Sequence, residues 1–346
     1  MKIVVRGTNW IGDAVMQIPA LRELRRIFPD AKITLHTRSW AKGIFEDADF
    51  IDEILTFEKE KAAFKTVLAQ AKILKEKNFD LAVLFPNSFK SALVAKLGRI
   101  PKRFGYAKEG RSFLLTDAVK IPEWKNEKHE VFYYLNLVAK IEKKFFGTRT
   151  VLENAPRFEL NVSEERRMQA RRILEENGVD LSKKIVAFCP GSTNSRAKRW
   201  HKESYARLND KIQSELKANV ILIGVSDELD VSMEVAAKSN LKPIVLTGKT
   251  ALAEVVAVLS ICDLLVSNDT GPAHVSAAAG TKTLVIFGPT NPQTTKPWNS
   301  EIIYKKVECS PCMLRDCPID HRCMTRVLPE EVFVNAKEKL TTNEHG

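Results

Sequence analysis

Residues 2–28 run KIVVRGTNWIGDAVMQIPALRELRRIF. Residues 2–5 are a short apolar run, and a glycine-containing turn follows. From about Ala14 to Phe28, Leu21, Leu24 and Ile27 fall at the spacing of one helical face. This is strand, loop, helix, and the unit recurs. Lys32–His36 reads as a strand and Ala41–Asp47 as a short helix. Ala62–Lys77 reads as a helix, Leu81–Phe85 as a buried strand and Ser88–Leu97 as a helix. Apolar strands alternating with helices imply a parallel sheet covered on both faces.

The pattern restarts after an interruption in residues 147–163, where Gly147, Asn154 and Pro156 break the periodicity. Glu164–Asn177 is a charged helix with Gly178 placed to cap it. Strands are expected at Ile185–Cys189, Val220–Ile223, Pro243–Leu246, Leu264–Ser267 and Thr283–Phe287. The helices expected between them are Tyr205–Leu216, Ser232–Ser239, Leu252–Ser260 and Ala273–Ala279. The expectation is two doubly wound Rossmann-like α/β domains, residues 1–160 and 161–346. A ligand would bind between them, at the carboxyl ends of the strands.

The chain has 346 residues, 44% hydrophobic and 28% charged, which excludes a disordered chain and a disulfide-dense miniature. No apolar run approaches the ~20 residues that span a bilayer, and the start of the chain lacks the apolar core of an export signal. Net charge is +11. Residues 1–160 hold 29 basic and 20 acidic side chains, and residues 90–149 alone hold 14 and 6. A field of that sign suits an anionic partner, whether nucleic acid, an anionic membrane or a phosphorylated substrate. It also suits a solvated surface that keeps the chain dispersed.

Four segments carry candidate chemistry. Gly7-Thr8-Asn9-Trp10-Ile11-Gly12-Asp13 joins a strand to a helix but matches neither a Walker A loop nor G-x-G-x-x-G. Asp13 suits a helix cap or a proton-accepting carboxylate. Pro190-Gly191-Ser192-Thr193-Asn194, followed by Arg196, Lys198, Arg199 and Trp200, combines small polar groups with cations. That mixture suits phosphate oxygens, or simply a polar capping loop. Ser267-Asn268-Asp269-Thr270-Gly271-Pro272-Ala273-His274 opens a helix whose amides could cradle a diphosphate. There Asp269 could hold the loop, and His274 is a structural histidine or a ligand. Phe287-Gly288-Pro289-Thr290 would line the same cleft.

Taken together with the tail CSPCMLRDCPIDHRCM, these segments resemble the ADP-heptose:lipopolysaccharide heptosyltransferases, glycosyltransferase family 9. The resemblance spans essentially the whole chain. It implies a glycosyltransferase-B fold and inverting transfer of a heptose from ADP-heptose to the lipopolysaccharide inner core. The second heptose addition is expected, with the first or third as alternatives. On this resemblance Asp13 is the catalytic base and Lys198 contacts the donor diphosphate. Ser192, Thr193, Asn194, Asp269, Thr270, Gly271 and His274 join the donor site, and Glu228 holds the nucleoside, with Asp227 as a rival. Asn194 stands where some members have threonine. An acceptor-binding N-terminal domain, a donor-binding C-terminal domain and a cytoplasmic enzyme peripheral on the inner membrane follow.

For the acceptor, the basic candidates are Lys102, Arg103, Lys108 and Arg111, on a segment Gly105–Thr116 expected to order when acceptor binds. Lys198 and the helix amides could stabilise leaving ADP without a metal, so no cofactor is required for the chemistry. Asp47-Ala48-Asp49 spells D-x-D but reads as a surface turn. Cys309, Cys312, Cys317 and Cys323 lie within 15 residues, suiting a structural zinc or iron–sulfur site or free thiols. The rival from another class is a nucleic-acid-binding protein, with Phe104, Tyr106 and Phe113 interleaved among the basic side chains.

Overall fold

The computed structural model describes residues 1–58 and 63–342. Contacts divide the chain into two units, Met1–Glu159 and Leu160–Gly346. In the first, β1 (Lys2–Arg6), α1 (Ile11–Met16), α2 (Ile18–Ile27), β2 (Lys32–Arg38), α3 (Lys42–Phe45) and β3 (Glu53–Phe57) are followed by α4 (Ala63–Lys77), β4 (Leu81–Leu84), α5 (Phe89–Leu97), β5 (Lys102–Tyr106), β6 (Asp117–Val119) and α6 (Glu130–Phe146). The second holds α7 (Glu164–Glu176), β7 (Ile185–Cys189), α8 (Lys202–Leu216), β8 (Asn219–Leu222), α9 (Leu229–Lys238), β9 (Ile244–Val245) and α10 (Leu252–Leu259). It continues through β10 (Leu264–Asn268), α11 (Gly271–Ala278), β11 (Lys282–Phe287), α12 (Pro292–Thr295), β12 (Glu301–Tyr304), α13 (Arg322–Thr325) and α14 (Pro329–Thr341).

Each unit holds one six-stranded, wholly parallel sheet. The orders are β3-β2-β1-β4-β5-β6 and β12-β11-β10-β7-β8-β9, the same doubly wound topology twice. The strand order reverses between β1 and β4, and between β7 and β10, and crevices of such sheets form there. Strands β4, β7 and β10 are buried along their whole length, as strands covered on both faces must be.

The first helix is broken in two. Pro19 has no N–H to continue the ladder, so the chain re-nucleates at Ile18 behind Gln17. Ala62, expected to begin the next helix, lies outside the described residues. Strands β3, β5, β6 and β12 and helices α6 and α14 carry no expectation from periodicity. Gly178, expected to cap α7, adopts φ +85°, the left-handed conformation glycine tolerates.

At the carboxyl end of β1 lies a buried cation. Arg6 Nη1 donates to Gln70 Oε1 at 2.7 Å and lies 3.1 Å from His36 Nδ1, while its guanidinium stacks 3.6 Å above the Phe57 ring. Burial, with Arg38 nearby, holds the Arg6 pKa down at about 9, so it stays cationic at neutral pH. Burial and the Arg6 charge together hold the His36 imidazole well below 6.5. The folded protein therefore refuses a proton that the unfolded chain accepts below pH 6.5. Stability present above that pH should fall on acidification, by about 1.4 kcal/mol per pH unit from this one group. Replacing His36→Gln keeps an acceptor for Arg6 and removes the titration. The variant's melting temperature should drop less than the parent's between pH 7 and pH 5. Equal drops would assign the acid limb to other groups.

Candidate active site

The first unit presents Asp13 on α1, in its first turn, where a carboxylate favours the positive end of the helix. Its Oδ1 accepts the Tyr134 hydroxyl of α6 at 3.0 Å. The preceding loop is shaped by Gln17, whose Oε1 accepts the Thr8 amide at 3.2 Å. Glu130, one turn before Tyr134, is ion-paired with Lys125. Burial first, then the Asp13 charge, pushes its pKa above the usual carboxylate value, against Lys125 and Lys108.

The four basic acceptor candidates separate into two kinds. Arg111 is wholly buried: Nε donates to Tyr106 O at 3.0 Å and Nη1 to Ser91 Oγ at 3.0 Å, with Pro86 O, Ser88 O and Asn87 completing the cage. Burial lowers its pKa to about 10. Arg103 donates Nε to Leu114 O at 2.8 Å and Nη1 to Ile100 O. Both staple residues 105–116 to the sheet, and Arg111, expected among the ligand-facing cations, is instead enclosed by the protein's own carbonyls. Lys102 and Lys108 remain exposed, Lys102 with its ammonium 4.4 Å above the Phe145 ring. Phe104 and Tyr106 are buried, so they offer no stacking face to a nucleic acid. Asp49 of the D-x-D is a surface carboxylate held by Arg22 at 3.2 Å.

In the second unit the loops after β7 and β10 are one construction. Asn268, fully buried, donates Nδ2 to Pro190 O at 2.9 Å and Gly191 O at 3.2 Å. Its Oδ1 accepts the Trp200 amide at 2.9 Å and the Tyr205 hydroxyl at 3.2 Å. Trp200 is core, its indole N–H bonded to Val327 O at 3.0 Å. Beyond Asn268, Lys198 Nζ donates to Asp269 Oδ2 at 2.9 Å and to Asp269 O at 3.1 Å. Thr290 donates to the same Oδ2 at 2.7 Å. Asp269 thus holds the loop and aims the lysine. Ser192 is buried, and its carbonyl accepts Arg199 Nη2 at 3.0 Å, while Thr193 and Asn194 are exposed beyond it. Thr270 contacts Ser267 Oγ at 3.1 Å, Gly271 opens α11, and His274 is buried in its first turn.

Glu228 is buried and accepts Thr193 Oγ1 at 3.1 Å and the Val225 amide at 3.3 Å. Its carboxylate rests on two glycines. A Cβ on Gly191 would lie 2.3 Å from Glu228 Cδ, and one on Gly224 2.9 Å from Oε2. Sequence reasoning had no signal for this dependence, nor for Tyr134, Glu130 or the role of Asn268.

The cysteine segment braces this loop from behind. Ser195 Oγ donates to Arg315 O at 3.1 Å, the Ala197 amide to Arg315 O at 2.9 Å, and His321 Nε2 meets Ala197 O at 2.6 Å. On the other side Ser310 Oγ donates to Gly288 O at 2.7 Å. Cys323 is buried, and burial with the neighbouring thiols of Cys317, Cys309 and Cys312 pushes its pKa up to about 11. Yet among the described residues no three His, Cys, Asp or Glu side chains are gathered so as to hold a metal ion. The segment's contacts to the Lys198 loop are made by its backbone, by His321 and by Asp316, whose carboxylate pairs with Arg196 at 2.6 Å.

The family model described as glycosyltransferase family 9 (heptosyltransferase) matches residues 67–322. The chain is 28% identical to lipooligosaccharide heptosyltransferase 2 of Campylobacter jejuni over 100% of both chains. It is 29% identical to lipopolysaccharide heptosyltransferase 2 of Escherichia coli, over 86% of this chain and 85% of that one. The solved structure of E. coli ADP-heptose lps heptosyltransferase II matches it with a TM-score of 0.84 at 27% identity, covering 98% of each chain.

The Gly191–Glu228 contact can be tested directly. In Gly191→Ala the added methyl must displace the Glu228 carboxylate, at a strain of about 1–3 kcal/mol. If Glu228 holds the nucleoside, as the resemblance implies, ADP affinity measured by titration calorimetry should fall about tenfold or more, while Gly178→Ala, whose added methyl meets open space, leaves it unchanged. Parental ADP affinity in the Gly191 variant would remove Glu228 from the nucleotide site.

Proposed function

Belonging to glycosyltransferase family 9, the heptosyltransferases, the chain is a heptose-transferring enzyme, and we propose that it moves heptose from ADP-heptose to the inner-core heptose of lipopolysaccharide, the second heptose addition. The names of the relatives support the donor and acceptor. The observation that carries the chemistry is the clasp of Lys198 on Asp269, which sets an ammonium between the loops after β7 and β10. Phosphate groups bind where a sheet's strand order reverses and a helix begins, and both conditions hold there.

In this mechanism the acceptor hydroxyl attacks the anomeric carbon as its proton passes to Asp13. The new C–O bond forms on one face while the bond to the diphosphate oxygen breaks on the other. The electron pair leaves on ADP. An ammonium has three N–H groups, and two of those of Lys198 go to Asp269. The third, with the Gly271-led turn of α11, meets the charge that grows on the diphosphate. Glu228 accepts from the ribose diol. The chemistry draws on these groups of the chain itself, and we assign no cofactor to it. Among the acceptor candidates, Lys108 is exposed and electrostatically close to Glu130, so it is the cation we assign to the acceptor.

The enzyme works, in this reading, in the cytoplasm at the anionic inner face of the membrane where a glycolipid acceptor resides. No described helix is long and apolar enough to cross a membrane. A surface-bound mode is supported by α5. Its buried side is Ala92, Val94 and Ala95, and Phe89 and Leu97 are exposed on the other side. Exposed Phe113 lies with its ring centroid 6.0 Å from that of Phe89, and Lys96 sits 5.8 Å above Phe113. Exposed apolar side chains with a cation beside them suit an anionic lipid surface.

Two measurements follow. Asp13→Asn should lower turnover about 10²–10⁴-fold with ADP-heptose binding near the parental value; a variant keeping most of its turnover would remove Asp13 from the mechanism. The double variant Phe89→Ser/Phe113→Ser should lose cosedimentation with phosphatidylglycerol vesicles while turnover on a water-soluble acceptor stays parental. Undiminished vesicle binding would place the membrane face elsewhere.

A further inference from the structure

Helix α6 packs against α1, the helix of Asp13. It directs Tyr134 at that carboxylate, and Glu130, four residues earlier, lies on the same helical face. The Tyr134 hydroxyl donates to Asp13 Oδ1 at 3.0 Å, and its ring is buried against Phe85 with centroids 5.2 Å apart. A phenol held this firmly fixes the rotamer of the group it bonds. Glu130 carries Lys125 on its carboxylate and stands in the field of Asp13.

We propose that Tyr134 and Glu130 are positioning residues for the base: the hydroxyl fixes which Asp13 oxygen receives the acceptor's proton, and the second carboxylate makes that oxygen more basic through like-charge repulsion. This rests on Asp13 being the base. The step is balanced. The acceptor O–H gives its proton to Asp13, its electron pair forms the new glycosidic bond, and ADP leaves with the pair of the old one. Asp13 acts electrostatically on Glu130 and Tyr134 of α6, while Lys125, from the turn before that helix, and Lys108, from the turn after β5, act on Glu130, and Tyr133 acts on Tyr134. In return Tyr134 and Glu130 act on Asp13. Their effects have opposite signs. A hydrogen bond to the ionised carboxylate lowers its pKa, and a neighbouring negative charge raises it.

The test is the pH dependence of kcat at saturating donor and acceptor. Tyr134→Phe keeps the ring and should move the acidic limb upward by about half a unit or more. It should also lower kcat about tenfold, with ADP-heptose affinity and donor KM unchanged. Glu130→Gln should move the acidic limb downward. Lys125→Met, which uncovers the Glu130 charge, should move it upward and serves if the Gln variant folds poorly. Thermal melts and ADP binding check the fold of each variant. If Asp13→Asn is inactive yet the limb stays in place, or moves the same way in Tyr134→Phe and Glu130→Gln, the proposal is wrong and the base survives. If Asp13→Asn turns over normally, both fall.

Discussion

Four hydrogen bonds converge on the Asn268 carboxamide, and the loops of the second unit depend on them. A buried amide must satisfy two donors and an acceptor, or cost the fold the desolvation of each unmet group. Asn268 meets this by bonding Pro190 O, Gly191 O, the Trp200 amide and the Tyr205 hydroxyl. The loop after β7 is thereby fixed to the end of β10. Gly191 is set where Glu228 can lie against its backbone, and the Lys198 turn is brought over Asp269. Removing the carboxamide would leave two carbonyls and one amide unpaired in the interior, and three separate functional groups would lose their common reference.

The first unit solves a similar problem with charge. Arg111 is buried with no carboxylate among its hydrogen-bond partners, and backbone carbonyls take its protons instead. Carbonyl dipoles stabilise a guanidinium less than an anion would, which agrees with the depressed pKa. In exchange the cage ties the turn after β5 to the turn after β4, and Asn87 in the latter also receives the Tyr133 hydroxyl at 3.2 Å. The floor on which α6 lies is set this way, and α6 in turn carries Tyr134 to Asp13. The two units share a topology, yet the loops of one are organised by an amide and those of the other by a cation.

The sheet architecture was legible because fully buried strands leave unbroken apolar runs, as in Leu81–Leu84 and Leu264–Asn268. The loops at their carboxyl ends were legible because glycine, hydroxyl and amide residues gather there. Helix α6 was not. Its sequence EVFYYLNLVAKIEKKFF is dense in aromatic and β-branched residues, and buried positions fall on most of its circumference, which blurs the 3.6-residue period. With α6 unseen, Tyr134 and Glu130 could not be associated with Asp13, some 120 positions away. Short edge strands such as Asp117–Val119 carry too few residues to show a period. The basic segment misled for a different reason. Lysine and arginine read alike in a charge count, but the flat, five-donor guanidinium can be satisfied inside a protein far more readily than an ammonium.

That distinction changes what the formal charge of +11 means. Arg6, Arg103 and Arg111 contribute to the count, yet the interior or the backbone carbonyls occupy them. An approaching ion meets a surface potential built chiefly by lysines such as Lys96, Lys102 and Lys108. Lysine charge sits at the tip of a mobile stem in water, so it is strongly screened at physiological ionic strength. The buried guanidiniums stay protonated and still count in the net charge, but the groups that can touch an arriving anion are the exposed side chains. The same composition divides under mutation: the exposed lysines can drift singly, whereas each buried arginine is bound to the geometry of its cage.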